Sequence, residues 1–426
     1  MSTSRERRDV VIVGGGPAGS SLAGFLRQRG LAVLILDAAG FPRDKVCGEA
    51  VSPQAWPLLE ELGAMASIEA LRPHALRGMR LTSPDGTVFV GRYPPQKRPG
   101  LGIRRLALDA ALLDRARALG AEVREGTRVT DLLRRDGVVK GVVAEGPAGP
   151  RTFGARLVVG ADGRQSVVAS RLGLRRPHLG LRRFAVRGYW EGMEGLDELG
   201  EMHVGGGGYC GVAPLSPTLA NVAFVLDGPE MGAAGGDVER FFREGLRARW
   251  PRVWERLEGA SLVETPRVIG PLAVEARSLT APGALLVGDA AGFYDPFTGE
   301  GITLALRTSR IAAGVIGDSL AARDAASALS EQLVAYERSR RAATRDKFRF
   351  NRLLQTAVRW PSASNLLARR LARRPDLADR LVGIAGDFVP AQTAFGPRFL
   401  WDLFRAGARS PGGSGERGER PFAGVK

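Results

Sequence analysis

Apolar residues change period along this 426-residue chain, and each change marks an element. Val10, Val11, Ile12 and Val13 form a short apolar run with no helical period, closed by glycines, which predicts a buried parallel strand. Residues 17–29 predict a helix. Pro17 stands near its start, where a missing N–H costs nothing, and Gly30 ends it. Residues 32–36 are a second buried strand, completing a β-α-β unit. Residues 53–62 read as helix, and 77–82 and 87–92 as two strands around the turn chemistry of Pro84, Asp85 and Gly86.

Residues 106–119 have the spacing of an amphipathic helix. Strands and turns alternate over 121–159, broken at Asp136-Gly137 and at 146–150. Residues 184–224 are strand-like. Residues 238–250 are helical behind an Asp237 N-cap, and 261–275 are extended. Residues 284–287 form a last buried strand that opens a long helical region. No internal repeat and no clean linker is visible, so one domain is expected to interrupt another.

Length supports that expectation, because 426 residues exceed the size at which one core keeps growing. A 44% hydrophobic and 25% charged composition fits a soluble globular chain. No apolar run approaches the roughly 18 residues of a spanning helix. The first eight residues, MSTSRERR, lack the apolar stretch and cleavage site of a signal peptide, so a cytoplasmic location is expected. Cys47 and Cys210 make no disulfide framework, and no residues have metal-site spacing.

The net charge of +16 raises the question of nucleic acid. Residues 331–380 hold thirteen Lys and Arg against five Asp and Glu, and so carry half of it. Phe348, Phe350, Leu353, Leu354, Val358 and Trp360 are interleaved there with Arg345, Lys347, Arg349, Arg352 and Arg359. No nucleic-acid-binding signature accompanies the stretch, and nucleic acid is not expected as a partner. It reads first as a solvated basic face, and second as a surface docking on an anionic membrane, which would place the protein at the membrane's inner face.

Chemistry concentrates at three glycine-rich points. Gly14, Gly15, Gly16, Pro17, Ala18 and Gly19 supply G-x-G-x-x-G between a strand and a helix. Gly14 permits the tight turn, Gly16 lets backbone approach a pyrophosphate, and Gly19 allows close helix–strand packing. Asp37, 23 positions after Gly14, ends the next strand where it can accept from a ribose 2′-OH. Together these predict an adenine dinucleotide. Asp162, in Gly160-Ala161-Asp162-Gly163, and Asp289, after Gly288, also end strands among small residues, where a carboxylate suits the ribityl hydroxyls of a flavin. Either alone also reads as a helix-capping turn residue. The pair favours FAD over NAD.

These segments resemble the para-hydroxybenzoate hydroxylase-like FAD-dependent oxidoreductases, over most of 9–175 and 280–312. The resemblance implies a glutathione-reductase-like α/β fold: a three-layer FAD-binding domain, an antiparallel-sheet substrate domain and a C-terminal helical region. The expected FAD-binding segments are 1–75, 101–180 and 276–325, and the substrate-domain segments 76–100 and 181–275. A basic helical region covers 326–410, and a disordered tail covers 411–426. The family pattern places Gly14, Gly16, Gly19 and Asp37 on the adenosine diphosphate half, Arg105 beside the cofactor, Asp162 near its phosphates and Asp289 on the ribityl chain. In the segment that continues through Pro296, Gly299, Glu300, Gly301 and Ile302, residues 299–302 fall beneath the isoalloxazine. Glycines there also leave backbone N–H groups free at a helix start, which stabilises a reduced flavin's negative charge.

Residues 41–49, with Pro42, Arg43, Lys45, Cys47, Gly48 and Glu49, look like the P-R-x-K-x-C-G-E loop of the geranylgeranyl reductase branch, where it lies against the flavin. Cys47 reads either as a small buried hydrophobe or as a group beside the flavin; Arg43 and Lys45 read as cofactor or loop-anchoring cations. The sequence departs from that branch at 209–214. Tyr209 and Pro214 match its Y-x-W-x-F-P strand, but Gly211 and Ala213 replace the two aromatics on Tyr209's face. Flavin halogenases carry W-x-W-x-I-P and an active-site lysine beside it, and neither is visible. No second dinucleotide motif exists, so reduction is expected from transiently bound NAD(P)H or a partner's electrons.

The expected function is therefore an FAD-dependent oxidoreductase, foremost an NAD(P)H-dependent monooxygenase of a hydrophobic aromatic, polyketide or quinone-like molecule. The alternatives are a reductase of isoprenoid or quinone side-chain double bonds, and a non-catalytic electron carrier. Tyr209 is the candidate for orienting a substrate oxygen, with Cys47 and Glu300 as further catalytic candidates. His203 reads as a structural strand histidine or a cavity-facing one.

Overall fold

The run from Val10 to Val13 has almost no solvent contact because its strand, Arg8–Val13, lies in the interior of a sheet covered on both faces. The computed structural model describes residues 8–178, 180–231, 236–321, 325–396 and 401. The tail expected to be disordered, 411–426, lies outside the described residues. Arg8–Val13 pairs in parallel with Val33–Leu36 on one side and with the end of Gly149–Gly160 on the other, Val11 opposite Leu34 and Val158. Glu122–Arg124 and Ala284–Leu286 extend the parallel set at its two ends. Such strands are buried on both faces, which is why they read as unbroken apolar runs. Helix Pro17–Gln28 packs against Arg105–Ala118 and Gly301–Ala321 over this sheet. The antiparallel strands Arg128–Arg135 and Val138–Gly146 lead into the long strand Gly149–Gly160 and share the same core.

A second, mostly antiparallel sheet roofs this domain. Its order is Ser261–Leu262, Arg183–Glu191, Leu219–Asp227, Gly208–Pro214, Gly200–Gly205, Gly78–Thr82 and Val88–Arg92, with Arg267–Ile269 also beside Arg183–Glu191. Period two divides its residues. Val186, Trp190, Cys210, Val212 and Phe224 pack on helix Val238–Arg249. Ala185, Met202, Tyr209 and Val225 face the other way, packing with Leu272 and Phe297. The two halves touch closely: a Cβ on Gly102 would lie 1.9 Å from Pro214 O.

Helices Ala325–Arg359, Pro361–Ala372 and Pro375–Ala385 close one side. Phe350, Leu371, Leu377, Leu381 and Ile384 gather around Phe89 of the roof sheet. Asp237 caps its helix by accepting from Arg240 N–H at 2.9 Å. Helix Met65–Ala70 and the small sheet of Ala50–Val51, Gly100–Gly102 and His74–Leu76 were not anticipated, since their apolar runs are too short to carry a period. Among the described residues no helix is long and apolar enough to cross a membrane.

Candidate active site

The glycine turn between the first strand and first helix is built by contact. Gly14 has φ 101°, and a Cβ there would sit 2.5 Å from Ala161 O. On Gly19 it would sit 1.8 Å from Gly14 O, so only glycine lets the helix approach the strand. Gly16 differs: its Cβ would meet nothing nearer than the Arg43 guanidinium at 3.4 Å, which leaves open space before the helix N-terminus. Pro17 and Ala18 form the buried first turn of that helix. Asp37 braces the turn, accepting from Gly15 N–H at 2.7 Å and Ala39 N–H at 2.8 Å.

Cations converge on the same space. Asp109, without solvent contact, accepts two hydrogen bonds from Arg105 (2.6 and 2.7 Å) and one from Arg43 (3.1 Å). Arg43 also approaches Asp37, at 3.8 Å. Lys45, Arg105, Arg164 and Arg340 act on Asp289, whose carboxyl is raised by burial against their pull. Burial, with Arg43, Arg164 and Arg105 nearby, holds the Lys45 ammonium below its usual value. So dense a set of cations calls for more negative charge than the carboxylates beside it supply. Asp162 braces the start of Val167–Arg171, whose N-cap is Ser166, by accepting from Val167 N–H at 2.7 Å through one oxygen, while its other oxygen is buried with no partner. A Cβ on Gly48 or Gly163 would meet nothing within 4 Å. Open glycines, orphaned acceptor and cation cluster together fit the diphosphate and ribityl chain of FAD.

The 41–49 loop is pinned from the roof sheet. Arg187 donates to Asp44 at 2.5 Å, and Asn221 Nδ2 donates to Cys47 O at 2.9 Å. Glu49 is fully buried at φ 57°, a left-handed conformation that three donors hold: Arg105 N–H (2.8 Å), Tyr189 Oη (2.7 Å) and Asn221 Nδ2 (3.1 Å). Burial raises the Cys47 thiol, with Arg105 opposing, so it stays protonated at neutral pH. Its Sγ accepts from Glu49 N–H at 3.4 Å.

Asp295 is a hub that ties the roof to the flavin segment. It accepts from Tyr209 Oη (2.6 Å), Gln355 Nε2 (2.6 Å), Phe297 N–H (3.0 Å) and Arg183 Nη1 (3.4 Å). Tyr209, expected to orient a substrate oxygen, thus has its hydroxyl committed to Asp295 and its ring edge-on to Phe297 at 5.0 Å. The turn Pro296–Thr298 ends in Gly299 at φ 67°, and helix Gly301–Ala321 begins two residues on, with Ile302 buried. Glu300, between the two glycines, is buried against Lys347 of the C-terminal helix. Burial pushes its carboxyl up to about 8, the Lys347 ammonium opposing. Lys347 also donates to Asp387 Oδ1 (2.7 Å) and Ile384 O (2.5 Å), and Asp387 pairs with Arg307 at 2.8 Å. His203 lies on Glu201 at 2.9 Å, beside Arg256, in an ion-pair group that also holds Arg80.

Sequence reasoning missed Asp109, Arg164, Asp295, Lys347 and Asp387 as site residues. Asp109 left a signal: an acid four positions after Arg105 on the apolar face of an amphipathic helix. The others act only through partners distant in sequence.

Fold and site together define a flavin-binding oxidoreductase. The family model described as the FAD binding domain matches residues 7–351, and the chain belongs to that family. It is 33% identical over 352 residues to digeranylgeranylglycerophospholipid reductase of Methanothrix thermoacetophila, covering 78% of this chain and 82% of that one. It is 29% identical over 321 residues to menaquinone reductase of Mycolicibacterium smegmatis, covering 72% and 76%. The crystal structure of CmlS, a flavin-dependent halogenase, superposes with a TM-score of 0.77 at 24% identity, over 91% of this chain and 77% of that one, and shows the shared fold.

Proposed function

We propose that this protein uses FAD to saturate a carbon–carbon double bond in a hydrophobic, isoprenoid- or quinone-type molecule, with NAD(P)H as the transient source of electrons. The observation that carries this reading is Glu300. With its carboxyl raised to about 8, it holds a proton at neutral pH between the glycines of the flavin segment. Bound FAD, once reduced, supplies two electrons and one hydrogen to such a reaction. The second hydrogen arrives as a proton, which Glu300 donates. Lys347, fixed by Asp387 and Ile384 O, holds the carboxyl and stabilises the carboxylate left behind. Arg43 and Arg105, locked on Asp109, hold the cofactor's diphosphate with Lys45 and Arg164. Asp295 and Tyr209 keep the roof on the flavin segment. The apolar inner face of the roof, where Met202 and Val225 pack on Phe297, excludes water from the flavin segment. The menaquinone and digeranylgeranylglycerophospholipid reductases it resembles support the same reading.

A monooxygenase is the second reading, and Gly211 favours it. A Cβ there would make only ordinary contacts, the nearest with Met202 Cε at 3.7 Å, so glycine leaves a methyl-sized recess in this wall. Anaerobic single turnover separates the two. Protein reduced with dithionite is mixed with a menaquinone or a geranylgeranyl lipid, and the product is weighed. A product two hydrogens heavier, formed without oxygen, supports the reductase. No anaerobic product, with one oxygen atom gained in air, overturns it.

A further inference from the structure

Helix Ala325–Arg359 carries an arginine stripe that the flavin site does not use. Arg338, Arg341, Arg345, Arg349 and Arg352 recur every three or four residues, and so share one helix face over about 21 Å. That face is one wall of a groove of about 800 Å3; Val274–Ala276 and residues 291–294 form the other. Six arginines line the groove against two glutamates. Both glutamates are engaged already: Glu337 with Arg341 and Ser278 Oγ, Glu275 with His178 at 3.6 Å. Among the described residues, no carboxylate forms an ion pair with Arg338, Arg340 or Arg352. Arg340 is only 4% exposed, and its Nε is buried without an acceptor. A guanidinium taken out of water needs a partner. A row of guanidiniums in a concave site selects a compact, multiply charged anion.

We propose that this groove binds the phosphate or diphosphate group of a small organic ligand and places it beside the flavin segment at residues 291–294. A phosphorylated nicotinamide reductant and a prenyl diphosphate substrate present that same chemistry. Binding in the groove is independent of which reaction the flavin performs. FAD-loaded full-length protein is titrated calorimetrically at constant ionic strength. The probes are inorganic pyrophosphate, NADPH against NADH, and geranylgeranyl diphosphate against geranylgeraniol. Wild type is expected to bind pyrophosphate saturably. Arg345→Gln with Arg349→Gln, both exposed, is expected to weaken it at least tenfold with FAD content unchanged, and adding Arg338→Gln to weaken it further. A tenfold preference for NADPH over NADH assigns the ligand as the reductant; the same preference for the diphosphate over the alcohol assigns it as the substrate. Pyrophosphate binding equal in wild type and the double variant overturns the proposal. So does equal affinity within both organic pairs.

Discussion

Gly16→Ala and Gly19→Ala are chemically the same change, three residues apart, and are expected to fail in opposite ways. At Gly19 the new methyl would lie 1.8 Å from Gly14 O, a backbone atom that cannot rotate away. Reaching ordinary contact requires the helix to move by more than 1 Å or the Gly14 turn to open. Overpacking of that kind costs about 1–3 kcal/mol or more, offset in part by the roughly 1 kcal/mol that alanine gains over glycine inside a helix. At Gly16 the backbone is extended, with φ −73° and ψ −175°, and the methyl meets only the Arg43 guanidinium, at 3.4 Å. Alanine fits there, and reduced freedom of the unfolded chain adds about 0.4–1 kcal/mol of stability. The same methyl occupies the space the cofactor's diphosphate needs, and affinity should fall by about 10–100-fold, or ~1.4–2.8 kcal/mol. Urea unfolding of FAD-stripped protein is the right stability assay, because bound ligand would add its own linkage. Fluorescence titration with FAD measures the rest. Gly16→Ala that is as stable as wild type and binds FAD equally well would refute the placement of the diphosphate.

Asp109→Asn should leave Arg43 and Arg105 with no charged partner at that position, costing about 3–5 kcal/mol of stability and weakening FAD retention, as read by thermal melts and flavin absorbance. Tyr209→Phe should cost about 1.5–3 kcal/mol through its lost bond to Asp295, with turnover changed less than stability. A collapse of turnover at unchanged stability would instead put the hydroxyl on the substrate. We also expect the basic C-terminal region, where Trp360 and Trp401 are about two-thirds exposed, to bring the protein to anionic vesicles at low salt and release it at high salt. Equal sedimentation with neutral vesicles would make the basic face merely solvated.

The fold was legible because its signals are local. Residues 10–37 announce strand, glycine turn, helix, strand and acid within a single β-α-β unit, and the roof strands show their period two. The glycine motif was legible because its spacing is local, although only Gly19 answers to a neighbour, Gly14 O, while Gly14 answers to Ala161 O, 147 positions on. What gives the site its electrostatics was not. Tyr209 and Gln355 meet Asp295 from 86 and 60 positions away, and Lys347 joins Glu300 to Asp387, itself 40 positions on. No short-range pattern records those pairings. Glu300 illustrates the consequence: beside two glycines it reads as a catalytic candidate of unstated role, and it is burial under the C-terminal helices that raises its carboxyl. Without a raised acid, a chain with only three histidines and small residues at 211 and 213 points to oxygen chemistry. With it, the balance moves to reduction.

The most direct test of that reduction is its pH dependence in anaerobic single turnover, in wild type and Glu300→Gln. An acid that must be protonated is active below its pKa and fails above it. Wild type should therefore react at a constant rate below about pH 7 and fall through an apparent pKa of about 8. The variant, isosteric but unable to donate, should be at least about 100-fold slower at pH 7, within the range of a general acid, and show no such step. Equal rates and the same pH profile in both proteins would contradict the account.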